Sequence, residues 1–387
     1  MKRVYLDYAA TTPVAPEVLE AMLPYFHDSP GNPSAIYAEG QRARQAVEEA
    51  RTAVGRLINA RPDEIIFLSG GTEADNMAIS GTVSQSVHKP AHVITTAVEH
   101  HAVLETCHHL GQQEVRITVL PVDTEGFVDP RAVQAAIEPE TVLVSVIMAN
   151  NEIGTIQDIA AIAAITRQAG IYLHTDAVQS FGRVPVDVQS LGVDMLSISA
   201  HKLYGPKGTG ALYIRKGTRL APLLYGGGQE RGKRSGTENV PGIVGLGKAA
   251  ELAGISMDGE ITRLAKLRDR LISGVLDKVP GSRLNGHAVQ RLPNNASFSF
   301  DGVEGESVCL NLDLAGIAAS PGSACSSTST APSHVLSALG LPQQQAFGSL
   351  RLSLGRWTTD ADIDRVLEVL PEVISRLRAM SPMRGGY

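Results

Sequence analysis

Val193-Asp194-Met195-Leu196-Ser197-Ile198-Ser199-Ala200-His201-Lys202-Leu203-Tyr204-Gly205-Pro206-Lys207-Gly208-Thr209-Gly210 is an apolar run that ends in reactive side chains. The run reads as a buried strand, and the Gly- and Pro-rich loop after it keeps a helix from following. Ser199, His201 and Lys202 are therefore expected at a strand end. A lysine beside an apolar run loses solvation, which makes its neutral amine available to condense with an aldehyde. On its own such a lysine is more often a solvated surface group, so the neighbouring segments decide.

Working outward, strand and helix signals alternate. Thr141 to Ala149 reads as a continuous buried strand ending in Asn150-Asn151-Glu152-Ile153-Gly154. Asp158 to Gln168 reads as a helix closed by Gly170, and Ile171 to Ser180 as a strand whose polar tip holds Asp176 and Gln179. Strand, helix, strand at this spacing is a βαβ unit of a mostly parallel sheet, in which ligands sit beyond the carboxyl ends of the strands. Further upstream, Glu64 to Leu68 runs into Ser69-Gly70-Gly71-Thr72-Glu73-Ala74-Asp75-Asn76, a small-residue turn that opens a helix. Free amides at such a turn suit a phosphate, although capping by Ser69 or Thr72 accounts for the same residues. A strand at His92 to Thr96 leads to Glu99-His100-His101, Val115 to Leu120 reads as another strand, and Pro130 to Ile137 as a helix. Thr72, His100, Asn151, Asp176, Gln179, Ser199, His201 and Lys202 then share one edge.

With 387 residues, the chain has the length of two domains or one large α/β unit, and 43% hydrophobic residues can fill a sizeable core. A formal charge of -6 offers no basic field for nucleic acid or anionic membrane. No signal peptide or membrane span is read, so a cytoplasmic protein is expected. The odd set Cys107, Cys309 and Cys325 suits free thiols better than disulfides. The His100-His101 and His108-His109 pairs lack zinc-type spacing, so no metal is expected. Gly242, Gly247 and Lys248 imitate a P-loop, but Ala249 stands where a hydroxyl would bind magnesium and no strand precedes them. The segment from Tyr225 to Asn239 is glycine-rich and reads as too flexible for a core. A charged helix from about Glu260 to Asp277 is expected to begin a second domain, with its boundary near 259.

Lysine, a carboxylate on a neighbouring strand, a phosphate cradle and a ring-stacking imidazole are together what pyridoxal phosphate requires. Lys202 would condense with the aldehyde, Asp176 would stabilise the protonated pyridine nitrogen, and His100 would stack on the ring and exchange protons. The Gly71 and Thr72 amides with Ser199 and His201 would take the phosphate. At this point the chain resembles the class V aminotransferase family and, within it, cysteine desulfurases of the NifS/IscS type. The resemblance covers nearly the whole chain through Tyr5-Leu6-Asp7-Tyr8-Ala9-Ala10-Thr11-Thr12-Pro13, Gly31-Asn32-Pro33-Ser34, Asn150-Asn151-Glu152-Ile153-Gly154, His174-Thr175-Asp176-Ala177-Val178-Gln179, Ser199-Ala200-His201-Lys202, Arg234-Ser235-Gly236-Thr237 and Gly322-Ser323-Ala324-Cys325.

That resemblance implies an α/β chain of the PLP-dependent transferase fold type I. A large domain, 15–258, would hold a mostly parallel seven-stranded sheet flanked by helices; 1–14 and 259–387 would form a smaller α+β domain carrying a catalytic loop at about 321–332. It implies Gln179 at the ring hydroxyl, a phosphate contact from Thr237 of a second subunit in a homodimer, and Asn32, Asn151 and Arg351 as substrate-binding residues. L-cysteine would be the substrate, and Cys325 would take its sulfur as a persulfide while alanine leaves. Cys107 and Cys309, in helical contexts, are expected to be packing residues. The step from Cys325 to Pro332 resembles members with the longer catalytic loop, which hand sulfur to protein acceptors such as an iron–sulfur scaffold. The residues after Met383 are shorter than the docking tail of the housekeeping type. Gly71 stands where an alanine is usual and is expected to matter little, since the backbone amide does the work. An aminotransferase, a selenocysteine lyase and a non-catalytic assembly partner are the alternatives.

Overall fold

The computed structural model describes residues 3–88, 90–322 and 332–380. After a short strand β1 (Val4–Tyr5), seven strands build the main sheet: β2 (Ile65–Leu68), β3 (His92–Thr96), β4 (Arg116–Leu120), β5 (Thr141–Ser145), β6 (Tyr172–Asp176), β7 (Met195–Ser199) and β8 (Gly210–Ile214). Their order is β2-β8-β7-β6-β5-β3-β4. Neighbours from β7 to β4 are parallel, and β8 runs antiparallel to both β2 and β7. Helices cover both faces, which is why β7 is buried at every position and reads in sequence as an unbroken apolar run with small hydroxyls. Strand β5 is shorter than expected and stops at Ser145. The amides of Val146 and Met148 nevertheless donate to the carbonyls of His174 (3.1 Å) and Asp176 (2.9 Å), so the chain stays beside β6 until it reaches Asn150.

A second, smaller sheet is antiparallel: β9 (Ser282–Leu284) and β12 (Ser349–Ser353) flank β10 (Asn295–Phe300), while the short β11 (Ile317–Ala318) pairs with β1. This sheet packs on the helices Gly305–Leu314 and Asp360–Met380 in its own apolar core, which also takes in Val4 and Leu6 of the N-terminal arm.

The helix expected to begin near 259 begins earlier, so the expected boundary falls inside it. One helix of 39 residues, Val240–Lys278, begins where Asn239 Oδ1 accepts from the Gly242 amide at 3.2 Å, and runs through both cores. Ile243, Leu246 and Ala250 belong to the first core; Leu264, Leu267 and Leu271 belong to the second. The P-loop-like glycines lie inside it, and Gly247 is there for close packing: a Cβ would meet Ala50 Cα at 2.5 Å.

The glycine-rich segment also departs from expectation, because Glu230 within it is buried. Its carboxylate accepts from Arg51 Nη1 and Nη2, both at 2.8 Å, and from the Phe67 amide of β2 at 2.8 Å. The polarity of the segment concealed one residue folded under the sheet.

Candidate active site

The carboxyl ends of the parallel strands open on a cavity of about 350 Å³. Gly71, Thr72, His100, Asn151, Asp176, Gln179, Ser199, His201, Lys202 and Arg351 all line it. Strand β7 delivers Ser199, and the single 3-10 turn Ala200–Lys202 that follows brings His201 and Lys202 round to the same side. The Ala200 amide donates to Thr209 O (3.0 Å) and the Gly205 amide to Ala200 O (3.0 Å), which fixes that turn. Lys202 Nζ donates to Ala9 O at 2.8 Å and Ala10 O at 2.5 Å, so the N-terminal arm supplies its acceptors.

Asp176 ends β6, with one carboxylate oxygen accepting from the Val178 amide at 2.8 Å. Burial pushes its carboxyl up to about 6, against the opposing pull of that amide and of Lys202. His100 caps the helix His101–Gly111: its Nδ1 accepts from the Ala102 amide at 3.1 Å, which leaves the proton of the neutral ring on Nε2. Burial, aided by the Lys202 charge, holds His100 down at about 4. His201 is likewise held at about 4, chiefly by burial, and its Nδ1 lies 3.1 Å from Thr11 Oγ1. Both imidazoles are therefore neutral near pH 7.

Arg351 comes from β12 of the smaller sheet and is only 2% exposed. Its Nη1 donates to Asn151 O and its Nη2 to Asp7 Oδ1, each at 2.9 Å, while Nε is buried without an acceptor. Gln179 is committed at both ends of its amide, to Ala9 O at 2.9 Å and from Arg183 Nη1 at 2.6 Å.

At the helix Gly71–Gln85, no side chain caps the N-terminal residue Gly70, so capping by Ser69 or Thr72 does not occur; the Ser69 amide donates instead to Glu73 Oε2 at 2.6 Å. Gly71 is less neutral than expected. A Cβ there would come within 2.7 Å of Val178 Cγ2, another group of the cavity wall, so alanine requires Val178 to move.

Two predicted residues do not line the cavity. Asn32 is exposed and its Oδ1 accepts from the Ser34 amide at 2.9 Å, a turn contact; Thr237 is exposed in the segment beyond Arg234. Cys325 and most of the expected loop lie outside the described residues, but both flanks are held, the second by Glu152 of the cavity wall. The Gly322 amide donates to Ser349 Oγ at 3.2 Å, and Ser333 Oγ donates to Glu152 Oε2 at 2.5 Å. Cys107 and Cys309 sit in helices, and burial pushes both thiols up to about 12, which suits packing rather than nucleophilic chemistry.

Sequence reading missed Asp7, Asp75, Glu152, His101 and His334, which bond to site residues or line the cavity. Asp75 and Glu152 lie within quoted motifs and carried a signal in their residue type. The carbonyls of Ala9 and Ala10 carry none, because any residue has a carbonyl.

A parallel sheet with a lysine at one strand end, a carboxylate at the next and an arginine from a smaller sheet defines an enzyme of the class V aminotransferase kind. The chain belongs to that family: residues 4–366 match the model of aminotransferase class V. Within it, the chain is 55% identical to a cysteine desulfurase IscS of Dictyoglomus turgidum, across 99% of this chain and 98% of the relative. A solved NifS-like protein superposes with a TM-score of 0.91 at 37% identity, covering 97% of this chain and all of that one. A structure described as SspA in complex with cysteine superposes with a TM-score of 0.82 at 36% identity, over 92% of this chain and 100% of that chain. No helix among the described residues is long and apolar enough to cross a membrane.

Proposed function

We infer that the chain is a pyridoxal-phosphate-dependent cysteine desulfurase, converting L-cysteine to L-alanine and leaving a persulfide on Cys325. One observation carries the reading: Lys202, Asp176 and Arg351 share a cavity in a chain whose relatives over full length are cysteine desulfurases. The cavity fits the cofactor. Arg351 Nε is buried there without a partner, and nothing lies within 4 Å of where a side chain would begin at Gly70, beside the helix amides.

Pyridoxal phosphate, when bound, supplies an electron-accepting ring that makes the Cα–H of an attached amino acid acidic. The chain's own groups do the rest. The Gly71 and Thr72 amides, Ser199 and His201 hold the phosphate, joined by Thr237 from the second subunit of a homodimer. Asp176 accepts from the ring nitrogen, Gln179 meets the ring hydroxyl, and neutral His100 covers the ring face. Arg351, with its planar guanidinium, and Asn151 orient the substrate carboxylate. The Lys202 amine takes the Cα proton.

Cys325, as thiolate, then attacks the substrate sulfur. An S–S bond forms, the Cβ–S bond breaks, and its electron pair stays with carbon, which protonation converts to the methyl group of alanine. The persulfide passes to an acceptor protein such as an iron–sulfur scaffold in the cytoplasm. Residues 15–258 form the large domain of this proposal, and 1–14 with 259–387 the small one; the presence of Val4 and Leu6 in the second core supports that division.

Incubation with L-cysteine, measuring alanine and sulfide together, tests the function. Stoichiometric alanine without a keto acid is expected; dependence on a keto acid would make the enzyme an aminotransferase. Lys202→Ala should abolish the visible absorption of the lysine-bound cofactor. Cys325→Ala should keep that absorption and lose the persulfide mass; sulfide release at the wild-type rate would defeat the persulfide step.

A further inference from the structure

Asp75 is a buried carboxyl in the cavity wall for which the proposed chemistry has no use. It is 1% exposed, and its Oδ1 has no hydrogen-bond donor. His174 Nε2 stands 3.6 Å from that oxygen, but both ring nitrogens are committed: Nε2 to Ser197 Oγ at 2.9 Å and Nδ1 to Ser145 Oγ at 2.8 Å. Burial holds His174 at about 3, so the imidazole is not a cation. The other groups acting on Asp75 are the carboxyls of Asp176 and Glu99, which repel a charge on it, and the Ser197 hydroxyl, which bonds to it. The charge of Lys202 acts on Asp176.

Two adjacent buried carboxylates cannot both ionise cheaply, and the one without a cationic partner keeps the proton. Asp176 has Lys202 and the Val178 amide. Asp75 has a row of neutral hydrogen-bonding groups, and a protonated acid completes that row. A protonated Asp75 would donate to Ser197, leaving the Ser197 proton for His174 Nε2 and the His174 Nδ1 proton for Ser145.

We propose that Asp75 is a positioning residue for the cofactor: a neutral carboxylic acid set beside Asp176 that keeps this wall of the cavity at a single negative charge, matched to one protonated ring nitrogen. The proposal rests on the pyridine nitrogen lying at Asp176. Asp75 itself acts through Asp176 and the Ser197–His174–Ser145 row.

The test uses the full chain with Asp75→Asn, which is neutral at every pH and keeps a donor for Ser197, and Asp75→Ala, which does not. Infrared difference spectra of the cofactor-free proteins near neutral pH should show a protonated-carboxyl band in the wild type that is reduced in both variants. Equilibrium dialysis with pyridoxal phosphate should then give Asp75→Asn an affinity within about twofold of wild type and an unchanged visible maximum. Asp75→Ala should lose about tenfold, the worth of one hydrogen bond in a buried network. If Asp75→Ala does not fold, the infrared band and the asparagine variant still decide. A tenfold loss or shifted maximum in Asp75→Asn, or no difference in the band, would overturn the proposal. Failure of the wild-type protein to bind pyridoxal phosphate would instead defeat the functional reading, and the infrared comparison stands apart from it.

Discussion

Burial pushes the Glu99 carboxyl up to about 8 and that of Glu152 up to about 7, while it holds His100 and His201 at about 4 and His174 at about 3. These groups act on stability in opposite senses. The histidines bind fewer protons folded than unfolded, so the stability they confer is present above their ordinary 6.5 and lost as pH falls through 4. The glutamates keep protons when folded that they shed when unfolded. Their contribution is whole below 4.5 and is lost as pH rises through 7 and 8. Between about pH 6.5 and 8 the glutamates act with little opposition, so the melting temperature of the cofactor-free protein should fall across that range. Glu99→Gln should flatten the fall: its Oε1 accepts from Thr96 Oγ1 (2.6 Å) and the Ile147 amide (2.9 Å), bonds that an amide oxygen preserves. Parallel melting profiles for variant and wild type would show that Glu99 is not the titrating group.

At the scale of elements, the strands of the main sheet were legible because burial on both faces writes them as apolar runs, and their polar tips line one cavity. What could not be read was pairing at a distance. The partner of Arg51 lies 179 residues away in a segment whose glycines suggested only a solvent loop. Nor could the helix boundary be read, since charged residues on the exposed face of Val240–Lys278 look like the start of something new. The Arg51–Glu230 pair ties the segment leading to Arg234 and Thr237 beneath β2, with side chains 4% and 3% exposed. Removing one partner strands a buried charge, so Glu230→Ala should cost about 3–5 kcal/mol in a denaturant titration. A loss below about 1 kcal/mol, the range of exposed ion pairs, would mean that the pair is not holding the segment.

Among the described residues of the whole molecule, the main sheet has an apolar core on each face and the smaller sheet has its own. The two halves are coupled by that one helix, by a fourth cluster that packs Val98, Ile147 and Ile153 against Val335, Leu336 and Leu339, and by the N-terminal arm, which pairs β1 with β11 and gives Lys202 its carbonyl acceptors. The site depends on both: Lys202 and Asp176 come from the main sheet and Arg351 from the smaller one, so the distance between the amine and the guanidinium is set by how the cores are coupled. Gly259 lies between the two buried stretches of the helix, with nothing within 4 Å of where its Cβ would stand. Gly259→Pro therefore adds no clash with another element. It removes a helical hydrogen bond and presses on the carbonyl one turn earlier, at about 3 kcal/mol, which kinks the rod between the cores. Calorimetry should then resolve two transitions where the parent shows one. KM for cysteine should rise more than kcat falls, because the displaced Arg351 binds the carboxylate while Lys202 and Asp176 keep their places. A single transition with unchanged KM would assign the coupling to the N-terminal arm and the Ile147–Leu336 cluster instead.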